Sequence, residues 1–414
     1  MIDASTAPAA VAEGPKAPMR LGRIGPLLLI GQLAWAVPGT AGGTLLQSLA
    51  DDIDPANKIR VITVIAASGA VTSAVGTVVG GRLSDRTRSR IGRRSPWLLA
   101  SSLVAAVALA ACGLTTSLVA IGVLYAAFQL AIGAWVAALS ALVPDHVAAE
   151  QVGRASSFAG LGYLLGQTVG GVLAGVFVTH PSPGLTLVPW LLVLGAVLIA
   201  VLVPAQDNRG VPRAARRAEP RGLVPPVSRD FWLAFTGRFL FILAIVMITQ
   251  FMLYLFTDYL AMSKKDAGGV LAVATGLVGV LAAVTTVAAG VLSDRLGRKR
   301  IFVGGAPLLL AAGLVPLLVA PSLSTVFLFF TTVGLTLGTY LAVDQALMVA
   351  VLPDPENAAR DLGVLSIGST LPGVVAPVLG GILVDAAGYT TVFLTSLVLA
   401  VAAAAVITRI RSVR

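Results

Sequence analysis

Two ionisable side chains stand inside long apolar runs. Arg238 interrupts the run that begins at Phe231, and Asp344 the run that ends near Leu352. In hydrocarbon such a charge costs roughly 2.5–3.5 kcal/mol on insertion scales, so its retention points to a function. At about 1.5 Å of rise per residue, Arg238 and Asp344 each sit on the order of 12 Å into their run. Equal depth permits a pair. A carboxyl next to a guanidinium is poised for proton exchange, because burial favours the neutral acid and a nearby cation favours the carboxylate. The expectation is that Asp344 takes up and releases a proton and that Arg238 controls when. A static structural ion pair is the alternative.

The other polar groups within apolar runs are chiefly amides and ring systems: Gln32, Trp35, Gln47, Gln129, Trp135, Gln167, Gln250, Tyr340 and Gln345. An amide in hydrocarbon must find a partner, so these should face a wet cavity or each other. Trp35 and Trp135 offer flat surfaces on which a ring could stack. Enzyme chemistry finds little support. No Gly-Lys-Ser/Thr phosphate loop is present, and His146 and His180 share no metal-ligand spacing. Cys112 is the single cysteine, so no internal disulfide can form. No metal, no cofactor and no catalytic residue are expected. Asp258, at the end of its apolar run, reads as a solvated helix end.

The elements that must position these groups follow from composition. Of the 414 residues, 57% are hydrophobic and only 12% charged, with a mean hydropathy of +0.92. Soluble domains carry about 25% charged residues, so this chain belongs in a bilayer. A spanning helix needs about 20 apolar residues. Twelve such runs are read, at 22–49, 59–83, 97–117, 119–143, 153–178, 186–204, 230–258, 267–292, 301–320, 323–351, 361–385 and 389–408. Pro38, Pro307, Pro316, Pro372 and Pro377 fall inside them. The fold class expected is all-α and integral to the membrane.

The net charge of +10 could suggest nucleic acid, but the basic residues lie in short loops between runs, which excludes that reading. With the N-terminus inside, the inner segments hold 24 of the 29 Lys and Arg residues and the outer loops four (Lys58, Arg60, Lys264 and Lys265). This positive-inside bias predicts cytoplasmic termini and a multi-pass protein of the cell (plasma or inner) membrane. Residues 1–20 are expected to be a disordered cytoplasmic tail. A six-helix bundle at 21–204, a cytoplasmic linker at 205–229, a second bundle at 230–408 and a tail at 409–414 follow.

The two bundles repeat each other. Gly81-Arg-Leu-Ser-Asp85-Arg86 recurs as Gly290-Val-Leu-Ser-Asp294-Arg295, Pro144-Asp145 as Pro353-Asp354, and Gly170-Gly171 as Gly380-Gly381. Six spans per repeat make the halves parallel, related by an axis along the membrane normal, with a site between them near the midplane. In the first loop Arg93 and Arg94 follow Gly92, and can pair with Asp85. Gly81 should let a neighbouring helix approach. Asp85 itself, at a helix end, could accept bonds from free backbone N–H groups.

These paired loops resemble the signature loop of the major facilitator family, in which Asp-Arg precedes Gly and basic residues. The resemblance implies twelve helices in two pseudo-symmetric six-helix bundles, a monomer, and a cavity lined by helices 1, 4, 7 and 10. It also implies a conformational latch at Gly81, Asp85, Arg86, Gly92, Arg93, Asp294 and Arg295, with Asp85 closing the cytoplasmic side in the outward-open state. The implied partners are a small-molecule substrate, a proton and the lipid bilayer. The long first loop, Ser84-Asp85-Arg86-Thr-Arg88-Ser-Arg90-x-Gly92-Arg93-Arg94-x-Pro96, is similar to that of the glycoside–pentoside–hexuronide cation symporters and sucrose carriers. The sodium-using members of that group carry acidic residues in helices 2 and 4, and this chain has none there. A second likeness joins Gly162-x-x-x-Gly166-Gln167-x-x-Gly170-Gly171 to the helix-5 signature of proton-driven drug antiporters, with Gln167 in place of Pro. Small residues at that spacing also make ordinary helix contacts. The expectation is proton-coupled transport of a sugar- or glycoside-like solute. Drug or natural-product efflux and a non-transporting receptor of the same fold are the alternatives.

Overall fold

A computed structural model describes residues 21–148, 151–203, 228–296, 299–352 and 358–410. The tail 1–20, nearly all of the expected linker, the loop residues 297–298 and 353–357, and the side chains of Asp294 and Gln345 lie outside the described residues. Twelve helices are long and apolar enough to cross a membrane, and no strand occurs among the described residues. In chain order they are α1 Leu21–Ile53, α2 Lys58–Arg86, α3 Ser95–Cys112, α4 Leu118–Ser140, α5 Val152–Phe177 and a sixth span, Pro181–Leu202, whose longer helix is α6 Trp190–Leu202. Then follow α7 Arg229–Thr249, α8 Lys264–Leu296, α9 Lys299–Val319, α10 Leu323–Ala350, α11 Ala358–Ala387 and α12 Tyr389–Ile407. An even number of crossings puts both chain ends on one face, here the terminal face. The opposite side is the far face.

Helix is the form in which a lone segment satisfies its own backbone in hydrocarbon. The sixth span opens with a separate short helix, Pro181–Leu187, so it begins ahead of the expected run at 186–204. The expected run at 230–258 is also interrupted. After Thr249 the chain breaks at Gln250–Phe251, makes one turn at Met252–Tyr254, and widens into a π-turn at Leu255–Tyr259. No Gly or Pro causes this break. A hydrogen bond from another helix, described below, occupies the carbonyl it frees. Pro26 and Pro38 lie inside α1, Pro307 and Pro316 inside α9, and Pro372 and Pro377 inside α11.

Large apolar side chains point outward as well as inward. Val273, Val280, Val284 and Val287 of α8 are 60–69% exposed. Such a stripe is unfavourable in water and ordinary against lipid tails. Inside, small residues set the helix spacing. α1 packs on α5 and α6, α2 on α4, and α3 on α4 and α6. In the second half α7 packs on α11 and α12, α8 on α10, and α9 on α10 and α12. Each contact in the first half recurs six helices later. The halves meet where α5 packs on α8 and α2 on α11.

The repeated Gly-Gly pairs explain both meetings. Gly170 faces Val37 and Thr40 of α1, while Gly171 faces Thr275 of α8. In the second half Gly380 faces Phe251 of the interrupted seventh span, while Gly381 faces Thr63 of α2. One glycine of each pair seats its helix on its own half, and the other seats it on the opposite half. A Cβ at Gly171 would lie 2.5 Å from the Thr275 methyl, a distance no real side chain tolerates.

Candidate functional site

α7 and α10 place the two membrane-embedded charges side by side. Arg238 Nη1 lies 2.9 Å from Asp344 Oδ2, and both side chains are largely buried (13% and 7% exposed). Tyr340, one turn before Asp344 on α10, is within hydrogen-bonding reach of the same carboxylate. The Phe241 ring packs on Tyr340 at 4.4 Å between centroids. Arg238 also contacts the Met348 sulfur, and its Nε is buried without a partner. The arrangement is an ion pair held largely out of solvent among apolar and aromatic groups, where loss of either partner leaves the other charge uncompensated.

The first half supplies a separate polar cluster. Trp35 Nε1 donates to Gln32 Oε1 at 2.6 Å on α1. Gln167 of α5 donates to the Tyr163 hydroxyl at 2.5 Å and accepts from Thr40 of α1 at 2.9 Å. The Trp35 and Tyr163 rings lie 5.5 Å apart. Tyr163 was not singled out by its residue type, because a tyrosine in a Gly-rich run reads as packing. The spacing of Tyr163 and Gln167, one helical turn apart, is the signal that could have found it.

Gln129 is elsewhere. It donates to Tyr125 at 3.1 Å within α4, and its stem packs against Gly69 of α2. Trp135 is fully buried, with its Nε1 unpartnered. It fills the core of the first half and lines no open cavity in this conformation. Gln250 sits at the break of the seventh span, where its backbone carbonyl accepts from Gln47 Nε2 at 3.0 Å. The expected cavity residues therefore divide into the Gln32–Trp35–Gln167 cluster, Tyr340 beside the Arg238–Asp344 pair, and Gln129, Trp135 and Gln250, which join neither, while the Gln345 side chain lies outside the described residues.

At the terminal face the first loop is organised partly as expected: Arg94 pairs with Asp85, whereas Arg93 pairs with Asp145. Asp85 lies at the C-terminal end of α2, where no free N–H groups are offered, so the capping role is corrected. It pairs instead with Arg94 Nη1 at 2.7 Å, and is 60% exposed. The better buried centre is Asp145, 12% exposed, which accepts from Arg93 and from Arg94 Nε, the latter at 2.9 Å. Arg94 also donates to Ser84 at 3.0 Å. Gly92 has φ 88°, a left-handed turn that favours glycine. Gly81 is not the close-approach position. A Cβ there would make only ordinary contact with Ala137, whereas one at Gly80 would lie 2.5 Å from Ala134. Arg86 and Arg295 are exposed. The sequence repeat had marked Asp145 through Pro144-Asp145 without showing its partners.

At the far face the two halves are bonded to each other. Lys58 Nζ reaches Asp51 of its own half at 2.8 Å and Asp258 of the other half at 2.7 Å. Lys264 reaches across to Asp51 at 2.7 Å and to Asp52 at 2.5 Å. Arg60 pairs with Asp385 at 2.7 Å, and the Tyr254 hydroxyl donates to the Gln47 carbonyl at 2.8 Å. Asp258 also accepts from Tyr389 at 3.0 Å, so it is an ion-paired residue rather than a solvated helix end. No group of three metal-ligating side chains occurs among the described residues.

The family model described as the Major Facilitator Superfamily matches residues 24–285 and 256–414. No curated protein matches the sequence. Among solved structures the chain is similar to a bacterial homolog of the human lysosomal transporter Spinster, in an inward-facing and occupied conformation. That match has TM-score 0.69 and 14% identity, and covers 93% of this chain and 95% of that one. It is also similar to a D-xylose-proton symporter (TM-score 0.72, 15% identity, 95% and 98% coverage). A third match is the inward open xylose transporter XylE from E. coli (TM-score 0.71, 14% identity, 94% and 96% coverage).

Proposed function

The chain belongs to the Major Facilitator Superfamily, and on that premise we propose that it is a secondary active transporter. It moves a small organic solute across the cell membrane by alternating access, with both termini in the cytoplasm. The observation that carries proton coupling is the Arg238–Asp344 pair, 2.9 Å apart and shielded from solvent. Protonating Asp344 weakens its hold on Arg238, and releasing the proton restores it. A change in this pairing alters how α7 and α10 meet, and these helices belong to the half that moves against the first. An aromatic and amide cluster on the first half and an aromatic and charged cluster on the second support a solute bound between them.

The substrate class we favour is sugar- or glycoside-like. It rests on the long first loop, on the Trp35–Tyr163 ring pair with its adjoining amides, and on the fold shared with proteins named as xylose transporters. Efflux of a drug or natural product is the second reading. The Gln167 amide already bonds at both ends within the protein, which leaves fewer polar groups for a sugar and suits a less polar solute. The helix-5 glycines do not add to that reading, since Gly162, Gly166 and Gly170 all lie against α1 as packing contacts.

The test is proton flux in proteoliposomes loaded with a pH-sensitive dye and challenged with sugars, glycosides and lipophilic amines. The expected outcome is that one class moves protons and that Asp344→Asn abolishes the signal while solute binding persists. Solute-driven proton movement that survives Asp344→Asn would remove the coupling role. No flux of any kind, with protons or with sodium gradients, would favour the receptor reading.

A further inference from the structure

The ion pairs at the far face are reciprocal. Lys58, at the start of α2, reaches Asp258 at the end of the seventh span. Lys264, at the start of α8, reaches Asp51 at the end of α1. The two bonds exchange under the repeat, because α1 corresponds to the seventh span and α2 to α8. Lys58 keeps a second bond to Asp51 within its own half. The matching bond in the second half would join Lys264 to Asp258, across a turn of similar length (residues 51 to 58 against 258 to 264). It is not made here, since Lys264 is turned across to Asp51 and Asp52. All four side chains are less than one-third exposed, so screening weakens these pairs less than it does fully exposed ones.

We propose that Asp51, Lys58, Asp258 and Lys264 form a partner-exchange latch that holds the far face shut and lets it open without stranding a charge. Opening breaks Lys58–Asp258, both bonds of Lys264 (to Asp51 and to Asp52) and the more exposed Arg60–Asp385 pair. Lys58 then rests on Asp51 alone, and Lys264 swings to the Asp258 that Lys58 has left. Lys58 and Lys264 each have a partner in both states, and Arg60, 74% exposed, is solvated when released, so the exchange avoids the large penalty of an unpaired, partly buried charge. The Gln47–Gln250 and Tyr254–Gln47 hydrogen bonds beneath it break in the same motion. This device rests on the alternating-access reading above.

The exchange has a signature that a simple clamp lacks. Asp51 serves two lysines when the face is closed, of which Lys264 alone reaches it across the halves, and Lys58 alone when it is open, so its loss favours the open face. Asp258 serves one lysine in each state, so its loss changes the balance little. A simple clamp would have Asp258→Asn open the face as well. The measurement is the distance distribution between spin labels at Ala56→Cys and Ala386→Cys, in the full chain in nanodiscs, where both sites are exposed and Cys112 is buried. Asp51→Asn is expected to raise the wide-distance population by roughly threefold to tenfold. Asp258→Asn should change it less than about twofold, and Lys265→Met, which touches none of these pairs, should leave it as found. High salt should widen the wild-type distribution and affect Asp51→Asn less.

Gly171→Trp, a wedge between α5 and α8, separates the two ideas. If the wedge widens the distances and Asp51→Asn does not, the latch is wrong and alternating access stands. If Asp258→Asn opens the face as far as Asp51→Asn, the exchange is wrong. If neither the wedge nor Asp51→Asn moves the labels, both the latch and the motion on which it rests are rejected. A label pair within one half, at Ala56→Cys and Leu114→Cys, should stay constant in every variant that has folded.

Discussion

At the scale of single residues, the chemistry was legible where a charge broke an apolar pattern. Arg238 and Asp344 announced themselves because hydrocarbon tolerates neither alone, and equal depth on two helices implied the contact that the structure makes. The aromatic and amide groups were less legible. Residue type cannot say which side of a helix faces a cavity, so Trp135 and Gln129 looked equivalent to Trp35 and Gln167. Sidedness depends on which neighbour arrives, and that is set by glycines elsewhere. The buried pair makes a definite prediction. Arg238→Gln alone leaves Asp344 without its cation and should destabilise the folded protein by roughly 3–5 kcal/mol, whereas Arg238→Gln with Asp344→Asn should recover most of that loss. Thermal unfolding in nanodiscs reads the difference. A double variant as unstable as the single would mean that the pair is not the dominant interaction at this site. Proton-coupled flux should be lost in both variants, so stability and coupling part company in the double.

At the scale of elements, the helices were readable and their contacts were not. A membrane helix shows little hydrophobic asymmetry, because lipid and core are both apolar, so periodicity does not reveal a partner. The interruption at Gln250–Phe251 was invisible for a related reason. No Gly or Pro marks it, and its stabilising bond comes from Gln47, about 200 residues away in sequence. The first loop shows the same limit. Its motif drew attention to Asp85, while the structure gives the central position to Asp145, packed beneath two arginines. The expectation is that Asp145→Asn costs about 2–4 kcal/mol of stability, since it leaves Arg93 and the buried Arg94 without their shared carboxylate. Asp85→Asn, at a 60% exposed position, should cost well under about 1 kcal/mol. Parallel unfolding curves for the two variants decide the matter, and a larger effect at Asp85 would return the structural weight to the signature motif. Between helices, Gly171→Val should weaken the α5–α8 approach by roughly 1–3 kcal/mol. Thr275→Ala, which shortens the opposing side chain, should restore part of it. Gly160→Val, where nothing lies within 4 Å, serves as the comparison.

At the scale of the whole molecule, the internal repeat and the helix count carried the architecture. What they left open was the state of the two halves relative to each other. That state is defined by pairs such as Lys58–Asp258, whose members belong to different repeats and whose pairing no local pattern encodes. The far face is bonded across the halves, while Arg93 and Arg94 at the terminal face bond within their own half. If the positive-inside bias sets the orientation, the bonded far face is the outer one, and a membrane-impermeant thiol reagent can test both statements at once. In intact cells Ala56→Cys should react and Arg90→Cys should not, because the bias places the first on the outer loop and the second inside. A cysteine at Gln32, in the cluster on α1, should also be protected in intact cells and should become reactive in inside-out vesicles, where the terminal face meets the reagent. Reaction at Arg90→Cys from outside would reverse the topology. Reaction at Gln32→Cys from outside, with Ala56→Cys behaving as expected, would keep the topology and show that the far face opens readily on its own. The bonds at Asp51 and Lys264 would then be too weak to hold the resting state.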